Sequence, residues 1–420
     1  RRAAMPRIEI AATGNELLSG QIADTNSAWL AEQLLHLGLR PSRLHAVEDE
    51  VLALSELLRE ISSRADLALV TGGLGSTPDD VTVRAAAEIS GLKLVQDPKA
   101  LESIQNFWRQ QLNEKEPPEE VTQQGYVPEK SLVLPNNSGL APGFGVSLNG
   151  CLVMFLPGVP REMKNMFTDS ALPIIREKFA LSLRPVRTSR IRVFGISESA
   201  ISRNLQEFPR LYPGVELGYR FLFPQIQLTL YADQTRISQE ELSRARQWIL
   251  ERLGINAVSA GEESMAEVIG SLLRKQGQTL SLAESCTGGL IAAGITSVAG
   301  SSDYFTQAAV TYSNQAKTSL LGVSQQTLKE HGAVHQETAR EMAEGVRRLS
   351  GSDYALSATG IAGPGGGTQE KPLGTLCLGL ASPGGSTTRQ IQRHTGSRQN
   401  NQRFFAECAL DLLRRSLLSG

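Results

Sequence analysis

Strands that run straight into glycine-marked turns, with helices between them, are what most restrict the fold of this chain. Segment 8–12 closes at Thr13-Gly14-Asn15-Glu16, 67–71 opens into Gly72-Gly73-Leu74-Gly75, and 151–156 runs into Pro157-Gly158. Further on, the apolar run 279–283 ends in Glu284-Ser285-Cys286-Thr287-Gly288-Gly289, and 353–358 opens into Thr359-Gly360. Short buried strands alternating with amphipathic helices predict a parallel sheet covered on both faces. On such a sheet the strand-to-helix loops gather at one edge, where ligands bind. The fold class is therefore α/β.

The chain has 420 residues, enough for several domains with full cores. Its formal net charge of −1 gives no basic field for nucleic acid. The four cysteines (Cys151, Cys286, Cys377, Cys408) are scattered and form no C-x-x-C pair. That argues against a disulfide framework and for a reducing compartment. No run approaches the roughly 20 apolar residues of a membrane span, and the first residues show charge without a signal-type apolar stretch. The expectation is a soluble cytoplasmic protein with no membrane partner.

The first domain is expected over 5–170. Its most specific motif is Gly72-Gly73-Leu74-Gly75-Ser76-Thr77-Pro78-Asp79-Asp80-Val81-Thr82. The glycines let backbone approach a ligand, Thr77 is placed to cap, and a helix start offers N–H donors to phosphate. Asp79 and Asp80 beside a phosphate imply a divalent cation between them, unless both only complement the helix dipole. Glu162, after 156–160, is either a ligand or base, or a solvated helix residue.

A middle domain is expected over 171–260, with strands and helices in the order β-α-β-β-α-β, a small α+β sandwich. It carries no G-x-x-G loop of the kind that clamps RNA backbone. Nucleic-acid binding is not expected, and the domain reads as a spacer or oligomerisation element.

The third domain is expected over 261–420 and is built around 280–290. A hydroxyl or thiol on that turn faces a cleft, while Ser285 or Thr287 could equally cap the next helix. Tyr312 ends a strand, Asn314 is placed to cap the following helix, and Lys317 lies in that helix's first turns, where the dipole lowers an amine's pKa. A neutral amine is what a Ser–Lys pair needs. The run Thr359-Gly360-Ile361-Ala362-Gly363-Pro364-Gly365-Gly366-Gly367 suits a backbone cradle or lid. Arg398 opposes the dipole of the last helix, which makes sense facing an anion.

These motifs carry a resemblance. G-x-E-L-L-x-G-Q-I-x-D-T-N (14–26), G-G-L-G-x-T-x-D-D-x-T (72–82) and L-P-G-V-P-x-E-M (156–163) resemble the N-terminal domain of the CinA family, related to molybdopterin-binding domains. Asn15 stands where Asp is common, and Ser76 where Pro is common. The middle segment is similar to the family's KH-like domain. A-E-S-C-T-G-G, V-T-Y-S-N-x-A-K, T-G-I-A-G-P-G-G-G, K-P-x-G-T and G-x-R resemble the CinA C-terminal domain.

The resemblance implies a nucleotide-binding α/β domain of molybdopterin-binding type, a KH-like α+β domain and a C-terminal α/β amidohydrolase domain. It implies conversion of nicotinamide mononucleotide to nicotinic acid mononucleotide and ammonia, in NAD salvage and without a cofactor. Ser285 is then the nucleophile and Lys317, with Tyr312 nearby, the base. N–H groups around Thr287, Gly288 and Gly289, or else near Thr359 and Gly360, hold the oxyanion, and Arg398 and the glycine loop with Gly363 hold the 5′-phosphate. At the N-terminus it implies metal-dependent hydrolysis of ADP-ribose, with a nucleotide site at Gly14, Glu16, Gly72, Gly73, Gly75, Thr77, Asp79 and Asp80 and a divalent ion at Asp80 and Asp79. Cys286 is the rival nucleophile, with His331 and His335 as bases nearby in sequence. His335 stands where the family usually has Ser. The rival reading is a nucleotide-binding regulator or scaffold linked to competence, without catalysis at one or both ends. A three-part chain with a charge-neutral middle is also expected to form a homodimer.

Overall fold

A computed structural model describes residues 5–77, 80–112 and 116–419. The chain divides into two compact units, residues 1–187 with 233–236, and 188–232 with 237–420.

In the first unit the strands are β1 (Ile8–Thr13), β2 (Pro41–Val47), β3 (Leu67–Thr71), β4 (Leu94–Gln96), β5 (Tyr126–Pro128), β6 (Leu132–Leu134), β7 (Gly143–Leu148) and β8 (Cys151–Leu156). Six form one sheet in the order β2-β1-β3-β8-β7-β6, and β4 pairs with β5 separately. The centre is parallel, as the strand–helix alternation predicts. The β8, β7 and β6 pairs are antiparallel, because β7 and β8 are joined by a two-residue Asn149-Gly150 turn. Both residues have positive φ (50° and 86°), the geometry of a tight hairpin.

Alternation along the buried strands makes two cores. Ile8, Ile10, Leu67, Leu69, Met154 and Leu156 face the helices Thr25–His36 and Pro160–Met166. Ala11, Ala68, Val70, Val153 and Phe155 face Val51–Ser62 and Thr82–Ser90. Burial of each large apolar side chain contributes about 1.5–3 kcal/mol.

The second unit holds two sheets. β9 (Val186–Val193), β10 (Val215–Leu222), β11 (Gln225–Asp233) and β12 (Ala257–Ser259) lie in the order β10-β11-β9-β12. They pack on the helices Glu198–Asn204 and Gln239–Leu253 around Ile191, Leu228, Leu230 and Ile249. β13 (Leu280–Glu284), β14 (Phe305–Val310), β15 (Tyr354–Gly360), β16 (Thr375–Ser382) and β17 (Gly385–Gln392) form the other sheet, in the order β14-β13-β15-β16-β17. β13 is parallel to both neighbours, and β16 and β17 return antiparallel. The helix Met265–Gln276 starts in a capping box between Ser264 and Glu267 and stops at Gly277, φ 64°.

The last helix, Arg398–Ser419, carries a buried ion pair. Arg414, 1% exposed, donates to Asp411 Oδ1 at 2.6 and 3.0 Å and to the Ile255 carbonyl at 2.5 Å. Arg415 Nε donates to Asp411 Oδ2 at 2.7 Å and its Nη2 to Asn256 Oδ1 at 3.1 Å. Removing one partner strands a charge in the interior. Asp411→Ala is therefore expected to cost about 3–5 kcal/mol, read from the denaturant midpoint of the full chain.

Candidate active site

β13 delivers its last residue, Glu284, into the interior, and the chain then turns sharply. Ser285 N donates to the Ala358 carbonyl at 2.9 Å, which pins the turn to β15. Gly288 and Gly289 have φ of 61° and 99°, so the turn needs residues without a Cβ there. The helix Leu290–Thr296 follows.

Lys317 comes to this turn from the helix Asn314–Leu321 and is fully buried. Its Nζ donates to the Thr311 carbonyl at 2.7 Å and lies 3.0 Å from Ser285 Oγ. Among the described residues no carboxylate pairs with it. Burial without a counter-ion lowers its pKa below the ordinary 10.5. An amine that holds its proton less tightly than usual is thus in contact with a buried hydroxyl.

The helix start is capped by neither Ser285 nor Thr287. Glu284 takes that place, accepting from Gly289 N (2.9 Å), Ile291 N (3.2 Å) and Ala292 N (2.8 Å). Gly288 N is also used, by the Ser285 carbonyl at 3.2 Å. So Gly288 and Gly289 shape the turn but do not offer their N–H groups to an oxyanion. The Cys286 and Thr287 N–H groups, directly after the serine, donate to no other residue among those described. Likewise Ser313, not Asn314, caps the lysine's helix, accepting from Ala316 N at 3.0 Å.

Tyr312 is 62% exposed, and its hydroxyl accepts from Arg398 Nη2 at 2.7 Å. It is not hydrogen-bonded to the serine or the lysine. Arg398 Nη1 donates to the Gly363 carbonyl at 2.6 Å. Both partners of Arg398 are uncharged. Thr359 Oγ1 donates to the Ala333 carbonyl at 2.8 Å and is buried, so its side chain holds a loop. A Cβ on Gly360 would stand 2.6 Å from the Thr375 carbonyl and 3.2 Å from Cys286 Sγ. Burial pushes the Cys286 thiol up to about 12, a poor thiolate former. His335 is occupied as a helix cap, its Nδ1 accepting from Glu337 N at 3.1 Å, with the His331 ring stacked 4.2 Å away. Neither imidazole is hydrogen-bonded to Cys286.

Sequence reasoning missed Asn401 and Gln402. Asn401 is fully buried, accepts from Thr395 N and Oγ1 at 2.8 Å, and donates to the Ala362 carbonyl at 2.9 Å. Gln402 donates to the Cys286 carbonyl at 2.9 Å. A lone amide inside a helix carries no signal at the level of sequence.

In the first unit, Gly14, Glu16, Gly72, Gly73, Thr77 and Asp80 line a cleft of about 360 Å³ with Asp24, Asn26 and Asp49. Gly73, Gly75 and Asp80 also line an adjoining one of about 500 Å³ with Phe107, Leu140 and Glu162. Among the described residues no lysine or arginine lines either. Thr77 does not cap a helix. Its N and Oγ1 donate to Asp80 Oδ2 at 2.7 and 2.6 Å, and the helix starts at Thr82. Thr82 closes the loop by donating to the Gly72 carbonyl at 2.9 Å. Asp79 lies outside the described residues. Asn15 N donates to Asp49 Oδ2 at 3.0 Å, Asn15 Oδ1 accepts from Asp49 N at 3.3 Å, and Asn15 does not line the cleft. Among the described residues no three His, Cys, Asp or Glu side chains converge as a metal cage. One or two carboxylates such as Asp80 still suit magnesium, which takes further oxygens from a phosphate ligand.

The second unit thus defines an α/β protein with a buried serine–lysine pair on a strand-to-helix turn. Comparison with known proteins identifies the family. Residues 262–417 match the model of the CinA C-terminal domain, and 9–177 that of a probable molybdopterin binding domain. The chain is 42% identical to the CinA-like protein of Desulfosudis oleivorans, covering 98% of this chain and 99% of that one. It is 41% identical to the CinA-like protein of Desulforapulum autotrophicum, covering 98% of each. A crystal structure of the competence/damage inducible protein CihA from Agrobacterium tumefaciens is 39% identical, covers 37% of this chain and 93% of its own, and has a TM-score of 0.36. The chain belongs to the CinA-like family. Among the described residues no helix is long and apolar enough to cross a membrane.

Proposed function

We propose that the chain hydrolyses the carboxamide of nicotinamide mononucleotide to nicotinic acid mononucleotide and ammonia. The observation that carries this reading is the buried Lys317 amine, without a counter-ion, 3.0 Å from the Ser285 hydroxyl. Ser285 Oγ attacks the amide carbon while its proton passes to Lys317 Nζ. The Cys286 and Thr287 N–H groups, which no other described residue takes up, are the donors we assign to the developing oxyanion. As the intermediate collapses, its NH₂ group takes the proton from Lys317 and leaves as ammonia. Water then attacks the ester, giving a proton to Lys317; as the acyl–oxygen bond breaks, that proton returns to Ser285 Oγ and nicotinic acid mononucleotide leaves. Arg398, whose partners are both neutral, keeps its charge for the 5′-phosphate. The choice of substrate is supported by family membership and the C-terminal motifs. The test is ammonia release by the purified chain. Release from the mononucleotide and little from free nicotinamide is expected; none from either overturns the reading.

A second reading concerns the cleft of the first unit and rests on its charge. Glu16, Asp24, Asp49 and Asp80 line it without a cationic side chain. A pyrophosphate such as that of ADP-ribose enters such a cleft only with a divalent cation, which screens phosphate from carboxylate. Asp80, with Asp79 beside it in sequence, is the residue proposed to hold it. Calorimetry is expected to show ADP-ribose affinity falling at least about tenfold when chelator is added, since each uncompensated like-charge contact costs on the order of 1–4 kcal/mol. Equal affinity with and without chelator removes the cation from the account. Loss of ADP-ribose hydrolysis in Asp80→Asn, with deamidation unchanged, assigns the second activity to this unit.

A further inference from the structure

Glu284 sits one residue before the nucleophile and is fully buried. Besides the N–H groups of Gly289, Ile291 and Ala292, the Thr287 hydroxyl donates to it, at 2.6 Å. Four donors and no acceptor face its two oxygens, the arrangement a carboxylate takes. Its main-chain carbonyl accepts from Thr311 N at 2.8 Å, and the Thr311 carbonyl in turn holds Lys317 Nζ at 2.7 Å. One residue therefore reaches the surroundings of both members of the pair, the turn that follows the serine through its side chain and the lysine's anchor through its backbone.

Capping alone does not account for this residue. A serine or threonine caps a helix with one hydrogen bond and little desolvation, whereas a buried carboxylate is costly unless every lone pair is used. What the carboxylate adds is control over the whole turn. It draws in the donors at 289, 291 and 292 and the hydroxyl at 287, and takes up neither the Cys286 nor the Thr287 N–H group.

We infer that Glu284 is a positioning residue for the nucleophile. Its carboxylate clamps the 285–289 turn so that Ser285 Oγ rests against Lys317 and the two amides after the serine remain for the oxyanion. The inference rests on the Ser285–Lys317 reading but does not depend on the identity of the substrate.

The test is Glu284→Gln in the full chain, which keeps the shape but turns an NH₂ toward N–H groups. With nicotinamide mononucleotide, kcat is expected to fall about 10²-fold with KM within about threefold, the effect of a small misplacement of a reacting atom. The pH midpoint stays where Lys317 sets it. A substrate-independent readout is phosphonylation by a fluorophosphonate, followed by mass spectrometry. Ser285 Oγ bonds to phosphorus, fluoride leaves, and the hydroxyl proton goes to Lys317. This labelling is expected to slow by a similar factor. Wild-type kcat and labelling in Glu284→Gln overturn the inference. If that variant does not melt cooperatively, Thr287→Val decides. It deletes one of the four hydrogen bonds, an about tenfold slowing is expected, and unchanged labelling overturns the inference. Slower labelling in the variant, with no ammonia released even by the wild type, supports the positioning role and discards the proposed substrate.

Discussion

Ser285→Ala is expected to lower kcat for ammonia release from nicotinamide mononucleotide by about 10³-fold or more while leaving the melting transition in place. The size follows from losing the nucleophile itself, since amide hydrolysis by water in the same pocket retains only what the oxyanion donors and binding supply. The fold is spared because, among the described residues, the Ser285 hydroxyl is hydrogen-bonded only to Lys317, which keeps its bond to the Thr311 carbonyl. Ser285 N still donates to Ala358. Ammonia release and thermal unfolding on the same sample check both halves. Activity within tenfold of wild type would move the nucleophile elsewhere. The Cys286 thiol, pushed up to about 12, would then need a base that it lacks here.

The second large effect concerns Lys317. Lys317→Met keeps the volume and removes the amine, so kcat is expected to drop about 10²–10⁴-fold, the range for a lost general base. Lys317→Arg is expected to fare no better, because a guanidinium stays protonated. In the wild type the rate rises with pH through the lowered pKa of Lys317 and levels off below 10.5. The sign for stability follows from the same shift. Between the lowered folded pKa and 10.5 the unfolded chain binds a proton that the folded chain does not, so stability rises with pH across that window. Below 10.5 the lowered pKa is a cost to the folded chain, and Lys317→Met is expected to match or exceed the wild type in stability. Denaturant unfolding at several pH values distinguishes this from a lysine held by an unseen anion, for which the variant would be less stable.

Much of this was legible from residues alone, and the parts that were not share a cause. Strand-to-glycine turns at Gly72 and Gly288 are local, and a local pattern survives being read along the chain. The serine and its lysine were found because each has a recognisable neighbourhood, at 284–289 and 311–317. What escaped was set by side-chain partners that no periodic pattern records, many of them far away in sequence. Nothing around Tyr312 says that Arg398 would take its hydroxyl, and nothing around Asn401 says that Ala362 and Thr395 would enclose it. Glu284 looked like the end of a strand, because a side chain that folds forward over the next eight residues leaves no periodic trace. The antiparallel side of the first sheet did have a local signal, Asn149-Gly150, at the point where a longer strand would otherwise be drawn through.

The helix Arg398–Ser419 has two sets of obligations. Its first turn supplies Arg398 to Gly363 and Tyr312, and Asn401 and Gln402 to the loops around Ser285. Three to four turns later Asp411, Arg414 and Arg415 grip the Ile255–Ala257 segment that leads into the small sheet. An unbroken helix over roughly 20 Å behaves as a strut. Whatever pushes on the small sheet is delivered, with little give, to the loops around Ser285.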